Sequence, residues 1–233
     1  MRALSLFANI GVAEAYLDKI GVDVVLANEL VKRRADLYSE IYPATEMICG
    51  DITDDSIRDH IVEEAIKKGV NFIIATPPCQ GMSVAGNRDP EDPRNQLISY
   101  AIDVIKRVSP DFVMLENVPR QLSTKIRIDG ETIKIPDYIK KELEGDYLFN
   151  KKTLAKTKDF GVPQLRERNI NLLVKKEWGF RWEFPEAIPI VTLKEAIGDL
   201  PSLDPLLREG MKMTLDKFPD YERKRIEGEK ISK

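Results

Sequence analysis

The residues best suited to chemistry surround Cys79, in the stretch Thr-Pro-Pro-Cys-Gln-Gly-Met-Ser at positions 76–83. An apolar run of strand length, Phe72–Ala75, ends just before this stretch. Pro77 and Pro78 then remove two backbone donors and restrict the turn. A thiol held in this way at the edge of a sheet is placed to act as a nucleophile. On this stretch alone, a loop cysteine in a proline-rich turn is an equally good interpretation.

Acidic residues follow other predicted strands. Glu116 comes after the apolar run Phe112–Leu115, where desolvation would raise the pKa of its carboxyl and suit it to proton donation near neutral pH. A strand-end acid in a salt bridge is the alternative. Glu29 stands about 20 residues after the turn at 9–11, a spacing typical of acids that bind an adenosyl ribose. For Glu29 and for Asp51, helix capping is the commoner role.

The elements that must position these residues alternate between strands and helices. Apolar runs predict strands at Leu4–Phe7, Val22–Ala27, Met47–Cys49, Phe72–Ala75 and Phe112–Leu115. Helical spacing predicts helices at Val12–Ile20, Leu30–Tyr42, Ser56–Lys68 and Gln96–Val108. Strands joined by helical crossovers predict a parallel sheet covered on both faces, with ligands at the carboxyl ends of the strands. The fourth and fifth strands of such a sheet are often neighbours, which would bring Cys79 close to Glu116.

Composition limits the class of protein. The 233 residues are 42% hydrophobic and 32% charged, enough to bury one full core. No apolar run is long enough to span a bilayer, and a strand-like run begins the chain, so we expect a soluble, cytoplasmic protein. Cys49, Cys79 and His60 are too few for a disulfide framework or a metal cluster, so no metal is expected. The net charge of −3 argues against an unaided nucleic-acid clamp.

Four segments, in this order and at these separations, resemble the DNA (cytosine-5) methyltransferase family. They are Leu-Phe-Ala-Asn-Ile-Gly at 6–11, Pro-Pro-Cys-Gln at 77–80, Glu-Asn-Val at 116–118 and Gln-Leu-Arg-Glu-Arg at 164–168. The similarity runs from about residue 3 to about residue 200. It implies an α/β, Rossmann-like fold dependent on S-adenosylmethionine, with a mostly parallel, doubly wound sheet and an antiparallel terminal hairpin.

The resemblance also implies a mechanism. Cys79 would add to C6 of a cytosine flipped out of double-stranded DNA, while Glu116 holds and protonates N3. S-adenosylmethionine would then methylate C5, and a base or water would remove the C5 proton. Arg166 and Arg168, at alternate positions of an extended strand, would brace the catalytic loop and the target base. A solvated charged strand is the alternative for these two arginines.

Further residues are assigned to the cofactor and the substrate by the same resemblance. The cofactor set is Phe7 on the adenine face, Ala8, Asn9 and Gly11 in the first turn, Glu29 on the ribose hydroxyls, Asp51 and Ile52 at the adenine edge, and Pro78 and Leu97 along the methionine part. The substrate set is Gln80, Ser83, Asn117, Val118, Arg88 and Arg94. The stretch 81–95 resembles the family's mobile loop, in which the two arginines would meet phosphates. Surface arginines without such a role are the ordinary alternative.

The chain departs from the family pattern at several points. Ser5 stands at the family's usual aspartate, and Asn9 and Val12 stand at two glycine positions, so the geometry of the cofactor turn should differ. Residues 125–135 alternate around Asp-Gly and predict a β-hairpin inserted into the family core. The charges of this hairpin could contact DNA or a partner.

The largest departure follows residue 200. The chain becomes strongly charged there, and neither a target-recognition domain nor the family's Gly-Asn-Ser-Val-like cofactor segment is present. We predict a catalytic domain at 1–200, a charged segment at 201–233, and a second polypeptide that supplies the missing parts. A truncated product is the alternative explanation. Methylation of cytosine in transfer RNA, and a non-catalytic regulatory module with this fold, are the other functions left open.

Overall fold

The computed structural model describes residues 1–78 and 92–200. The strands in these residues are β1 (Arg2–Leu6), β2 (Asp23–Glu29), β3 (Glu46–Cys49), β4 (Phe72–Ala75), β5 (Phe112–Asn117), β6 (Lys125–Ile128), β7 (Glu131–Lys134), β8 (Tyr147–Phe149), β9 (Leu154–Lys156) and β10 (Glu167–Lys175). The α-helices are α1 (Lys32–Ile41), α2 (Asp55–Lys67), α3 (Pro93–Val108), α4 (Ile135–Leu143) and α5 (Leu193–Ile197). Short 3-10 helices connect several of these elements.

The central sheet has the order β3-β2-β1-β4-β5-β10-β8, and β9 pairs with β10. Strands β1 to β5 are parallel to one another, whereas β10 runs antiparallel to both β5 and β8. The mostly parallel sheet with an antiparallel end is therefore confirmed, as is the pairing of the fourth strand with the fifth. This order brings the carboxyl ends of β1, β4 and β5 side by side.

Alternation along β1 assigns its side chains to the two faces of the sheet. Leu4 and Leu6 belong to the main core, which also contains Ile61 of α2 and Ile102 of α3. Ala3 belongs to a cluster on the other face that includes Phe72. Fully burying one leucine or isoleucine side chain contributes about 1.5–3 kcal/mol, so the main core holds the strands in register. On that other face Tyr38 of α1 packs with Ala27 of β2, so helices cover both faces, as the crossovers predict.

Helix starts follow local sequence signals. The Asp54 carboxylate caps α2 by accepting the N–H groups of Ser56 and Ile57, and the Asp92 carboxylate accepts the N–H of Arg94 at the start of α3. The predicted hairpin at 125–135 is confirmed by β6 and β7, which pair antiparallel. Its turn uses positive φ angles at Asp129 and Gly130.

The predicted helix at Val12–Ile20 is wrong. This segment forms turns and a 3-10 helix at Asp18–Ile20, after which Gly21 adopts a left-handed conformation with φ 75°. The four-residue spacing of Val12, Tyr16 and Ile20 suggested a buried helical stripe, but these side chains are 74%, 71% and 73% exposed. The acidic side chain of Glu14 is buried instead, because it bonds to the central strand.

The chain divides into two compact units. The first comprises Met1–Ala155 and Glu167–Pro185 and carries the sheet; the second comprises Lys156–Arg166 and Glu186–Lys233. Within the second unit, the Thr157 N–H donates to the Arg166 carbonyl at 2.9 Å. The predicted domain boundary at residue 200 stays a prediction. In the two described ranges, no helix has the length and apolar character needed to cross a membrane.

Candidate functional site

The turn after β1 has an unusual backbone. Phe7, Asn9 and Gly11 have positive φ angles of 59°, 52° and 81°. The Tyr42 hydroxyl donates to the Gly11 carbonyl at 2.6 Å, and a Cβ added at Gly11 would overlap the Tyr42 ring. Glycine is therefore required at this position for both its conformation and its close approach to the ring. The sequence indicated the turn, but not the tyrosine that fixes it.

Glu29 connects this turn to the start of α1. Its Oε2 accepts the Asn9 N–H at 2.9 Å, and its Oε1 accepts the Val31 N–H at 2.9 Å. Arg34 lies 3.7 Å from Oε1, and the Glu29 residue is only 5% exposed. The structure thus shows a backbone-binding role for this acid. Each carboxylate oxygen keeps a further lone pair, so the predicted role toward ribose hydroxyls is still open to it.

The ends of β2 and β3 are joined by a buried amide. Asn28 Nδ2 donates to the Ile48 carbonyl at 2.9 Å and to the Gly50 carbonyl at 3.1 Å. Just beyond, Asp51 Oδ1 accepts the Thr53 N–H at 2.9 Å. The bond from Asn28 keeps Asp51 and Glu29 at the same edge of the sheet. The sequence does not predict that Asn28 joins the ends of these two strands, because a single polar residue at a strand end is common.

Ile52, predicted at the adenine edge, is 3% exposed and its side chain packs in the main core. Phe7 and Leu97, two other residues of the predicted cofactor set, are half-buried against the same core. Ala8 is buried, and its N–H donates to the Asn28 carbonyl at 2.9 Å. Pro78 is half-buried. The contacts predicted between these residues and the cofactor stay predictions.

The turn that leads to Cys79 is anchored to both neighbouring strands. Asn117 Nδ2, at the end of β5, donates to the Pro77 carbonyl at 2.9 Å. On the other side, the Thr76 N–H donates to the Leu6 carbonyl at 3.3 Å. Cys79 lies outside the described residues, as do Gln80, Ser83 and Arg88 of the predicted sets. The described backbone therefore ends, fixed on both sides, one residue before the predicted nucleophile.

Glu116 and Arg168 form an ion pair at the same edge. Arg168 Nε lies 2.7 Å from Glu116 Oε1, and the two side chains are 20% and 27% exposed. Arg168 Nη1 also donates to the Glu167 carbonyl at 2.7 Å. The antiparallel pairing of β5 with β10 creates this contact, since it places Glu116 opposite Ile170. The two predicted catalytic residues are thus brought together, and the arginine orients the carboxylate.

Buried amides lie behind this ion pair. Asn169 stands opposite Asn117 in the register of β10 and β5, and its Nδ2 donates to Gln121 Oε1 at 2.8 Å. These three side chains are at most 2% exposed. Sequence reasoning missed Gln121 and Asn169; the available signal was an asparagine within an apolar strand. Val118 is half-buried, and its N–H donates a hydrogen bond to Asn117 Oδ1 at 2.8 Å.

Two other predicted arginines are placed differently from expectation. Arg166 precedes β10 rather than lying within it, so the predicted alternate placement of Arg166 and Arg168 on one strand is wrong. Arg166 is exposed and belongs to the second unit. Arg94 makes two contacts with the Asp92 carboxylate, at 3.0 Å from Nε and 2.7 Å from Nη2. Its predicted contact with phosphate stays a prediction.

The described residues contain no group of three or more histidine, cysteine or acidic side chains that could hold a metal ion. The turn after β1, the Glu29 carboxylate bonded to its backbone, and the Glu116 carboxylate held by Arg168 all lie at the carboxyl ends of parallel strands. Proteins of the α/β class bind ligands at this edge of the sheet.

Comparison with solved structures gives the class of protein. The chain matches a DNA modification methyltransferase encoded within an Escherichia coli prophage with a TM-score of 0.68 and 25% identity, over 87% of this chain and 56% of that chain. DNMT2 of Spodoptera frugiperda matches with a TM-score of 0.63 and 18% identity, over 87% and 60%, a likeness that shows the fold alone. The chain thus has the Rossmann-like fold of S-adenosylmethionine-dependent methyltransferases.

Sequence comparison assigns the chain to one family within this class. The profile of the C-5 cytosine-specific DNA methylases matches residues 1–233, and the chain belongs to this family. It is 42% identical over 214 residues to the type II methyltransferase M1.HgaI of Avibacterium volantium, covering 90% of this chain and 59% of that protein. It is 31% identical to M.NgoPII of Neisseria gonorrhoeae, covering 86% and 57%. The chain therefore spans less than two thirds of the length of these relatives.

Proposed function

We propose that this chain is the catalytic part of a DNA (cytosine-5) methyltransferase, which transfers a methyl group from S-adenosylmethionine to C5 of cytosine. The observation that carries the proposal is the Glu116–Arg168 pair at the edge where the anchored turn of Pro77 leads to Cys79. A restriction-modification role agrees with the names of the relatives, which are type II methyltransferases.

In this mechanism the Cys79 thiolate forms a bond to C6 of a flipped cytosine, and Glu116 delivers a proton to N3. Electron density then moves onto C5. S-adenosylmethionine would supply the methyl group that C5 takes up and would leave as S-adenosylhomocysteine. Loss of the C5 proton to a base or to water breaks the bond between sulfur and C6, the thiolate leaves, and N3 gives up its proton.

The described contacts suit these roles. The contact with Arg168 holds the Glu116 carboxylate in one orientation. A carboxylate held in this way can approach the ring nitrogen N3 with a defined geometry. Asn117 fixes Pro77 and thereby the approach of the chain to the thiol. Arg166 and Arg94, together with Arg88 and the side chains of Gln80, Ser83 and Val118, complete the proposed contacts to the base and its phosphates.

The cofactor would occupy the edge formed by β1, β2 and β3. The position of Glu29 fits this cofactor, since its carboxylate is bonded to the cofactor turn through the Asn9 N–H. The Glu29 carboxylate can accept hydrogen bonds from the ribose hydroxyls of S-adenosylmethionine, and the adjacent turn can contact the rest of its adenosyl group. Phe7, Ala8, Gly11, Asp51, Ile52, Pro78 and Leu97 are the further residues proposed to line this site.

We further propose that a second polypeptide supplies target recognition and the rest of the cofactor pocket. One observation supports this partner. Val12, Tyr16 and Ile20 beside the cofactor turn are each more than 70% exposed. Burial of such side chains is favourable, so a covering segment would stabilise the turn.

A methyl-transfer assay tests the function. The 233-residue chain, alone and mixed with the part of M1.HgaI that it does not cover, is incubated with tritiated S-adenosylmethionine and either duplex DNA or transfer RNA. We expect tritium in 5-methylcytosine of DNA, enhanced by the added polypeptide and abolished by Cys79→Ser. Transfer to RNA alone would replace DNA as the substrate, and no transfer in any mixture would favour a non-catalytic module.

A further inference from the structure

A buried acid near the cofactor turn is not used by the proposed chemistry. Glu14 is 3% exposed, and its Oε1 accepts a hydrogen bond from the Ser5 hydroxyl, itself 2% exposed. Its Oε2 is buried without a hydrogen-bond partner in the described part of the chain. An acidic side chain is rarely buried to this extent unless a specific interaction requires it.

The two partners lie on either side of the cofactor turn. Ser5 is central in the sheet, with Ala27 of β2 and Ile74 of β4 as its register neighbours. Glu14 follows the turn, and its N–H donates to the Gly11 carbonyl at 3.3 Å. The bond between Ser5 and Glu14 therefore closes residues 6–13 into a loop fastened to the central strand.

The environment of Glu14 favours its neutral form. Burial raises the pKa of the Glu14 carboxyl, and the titratable groups that face it are the phenols of Tyr38 and Tyr42 in and after α1. Burial raises the pKa of both phenols as well, so both tyrosines stay protonated near neutral pH. The Tyr42 hydroxyl also donates to the Gly11 carbonyl. The turn is thus held both by Tyr42 and by the bond between Ser5 and Glu14.

We propose that Glu14 is a positioning residue for S-adenosylmethionine: it fastens the cofactor turn to β1 through Ser5, in place of an acid on the strand itself. The inference rests on the proposed function, since it takes the turn to be where the methyl donor binds. Its basis is geometric, because no other side chain of the described segment 12–20 bonds to the central strand. The serine at position 5, where the family usually has aspartate, agrees with this exchange of positions.

Calorimetric titration of S-adenosylmethionine into the full chain, mixed with the part of M1.HgaI that it does not cover, tests the inference. We expect Glu14→Ala to weaken cofactor binding about tenfold, the size of effect that loss of a buried hydrogen bond produces. Glu14→Gln keeps an acceptor for Ser5 and should stay within about threefold of wild type. The double variant Ser5→Asp, Glu14→Ala returns a carboxylate to the strand and should recover most of the affinity. Glu63→Ala, at an exposed acid of α2, is the matched control.

The possible results separate this inference from the function on which it rests. Wild type that binds no S-adenosylmethionine in this mixture would overturn both. Wild type that binds, with Glu14→Ala binding equally well, would overturn the positioning role alone. A purely structural role predicts lower thermal stability with unchanged affinity of the folded protein, and that result would also overturn it. If Glu14→Ala does not fold, Glu14→Asp replaces it, because its shorter side chain should not reach Ser5 and should weaken binding.

Discussion

Removal of the Arg168 guanidinium should slow chemistry without weakening cofactor binding. In the structure its Nε is 2.7 Å from Glu116 Oε1, a charge-assisted contact. A hydrogen bond to a charged group contributes about 1.5–3 kcal/mol, and partial exposure of both side chains reduces this to about 1–2 kcal/mol. If the contact is needed in the transition state, Arg168→Ala should lower the methyl-transfer rate about 5- to 30-fold.

The assay is single-turnover methyl transfer to a cytosine-containing duplex, with the dissociation constant of S-adenosylmethionine measured in parallel. Variants Glu116→Gln, Arg168→Ala and their combination form a double-mutant cycle. Because Arg168 acts through Glu116, the double variant should be no slower than Glu116→Gln alone. Arg107→Ala is the matched control, since this arginine pairs with Asp59 at the surface. Fully additive losses in the cycle would refute the inferred coupling.

Three further predictions concern positions around the site. Gly11→Ala should lower the melting temperature by several degrees, because a left-handed alanine costs about 1–2 kcal/mol and its Cβ overlaps Tyr42; calorimetry checks this, and an unchanged melting temperature would refute the steric argument. Asn117→Ala should slow alkylation of Cys79 measured by peptide mass spectrometry, and unaltered alkylation would mean that the bond to Pro77 does not govern the thiol. Wild type should lose stability relative to Glu14→Gln as pH rises from about 4.5. The pKa of Glu14 is raised from 4.5 in the folded state, so its contribution to stability is greatest while the carboxyl is protonated. Urea unfolding at several pH values checks this, and a stability difference that does not change with pH would contradict it.

The sequence predicted the features that depend on local pattern. The apolar run Phe72–Ala75 is strand β4 within the same bounds, and the alternation around Asp129 gives the observed hairpin. The parallel direction of the first five strands followed from their helical crossovers, whereas their order in the sheet was not predicted beyond the pairing of the fourth strand with the fifth. The sequence also indicated which strand ends carry polar groups, because such residues interrupt apolar runs.

Contacts made across the fold were not predictable in this way. The apolar spacing of Val12 and Tyr16 favoured a helix, whereas the bond between Ser5 and Glu14 holds the segment in another conformation. The contact of Arg168 with Glu116 depends on the register of β10 against β5, which no local pattern specifies. The sequence leaves helix capping and cofactor binding as alternatives for Glu29. In the structure its carboxylate accepts hydrogen bonds from the backbone N–H groups of Asn9 and Val31.

The most direct test of the central claim is covalent capture by a duplex containing 5-fluorocytosine. Fluorine at C5 blocks loss of the C5 substituent, so a thiolate added to C6 cannot leave after methylation. With S-adenosylmethionine and the complementary part of M1.HgaI, mass spectrometry should find the methylated base attached to the peptide containing Cys79. A protein that binds S-adenosylmethionine and the duplex but forms no adduct at Cys79 would contradict the account.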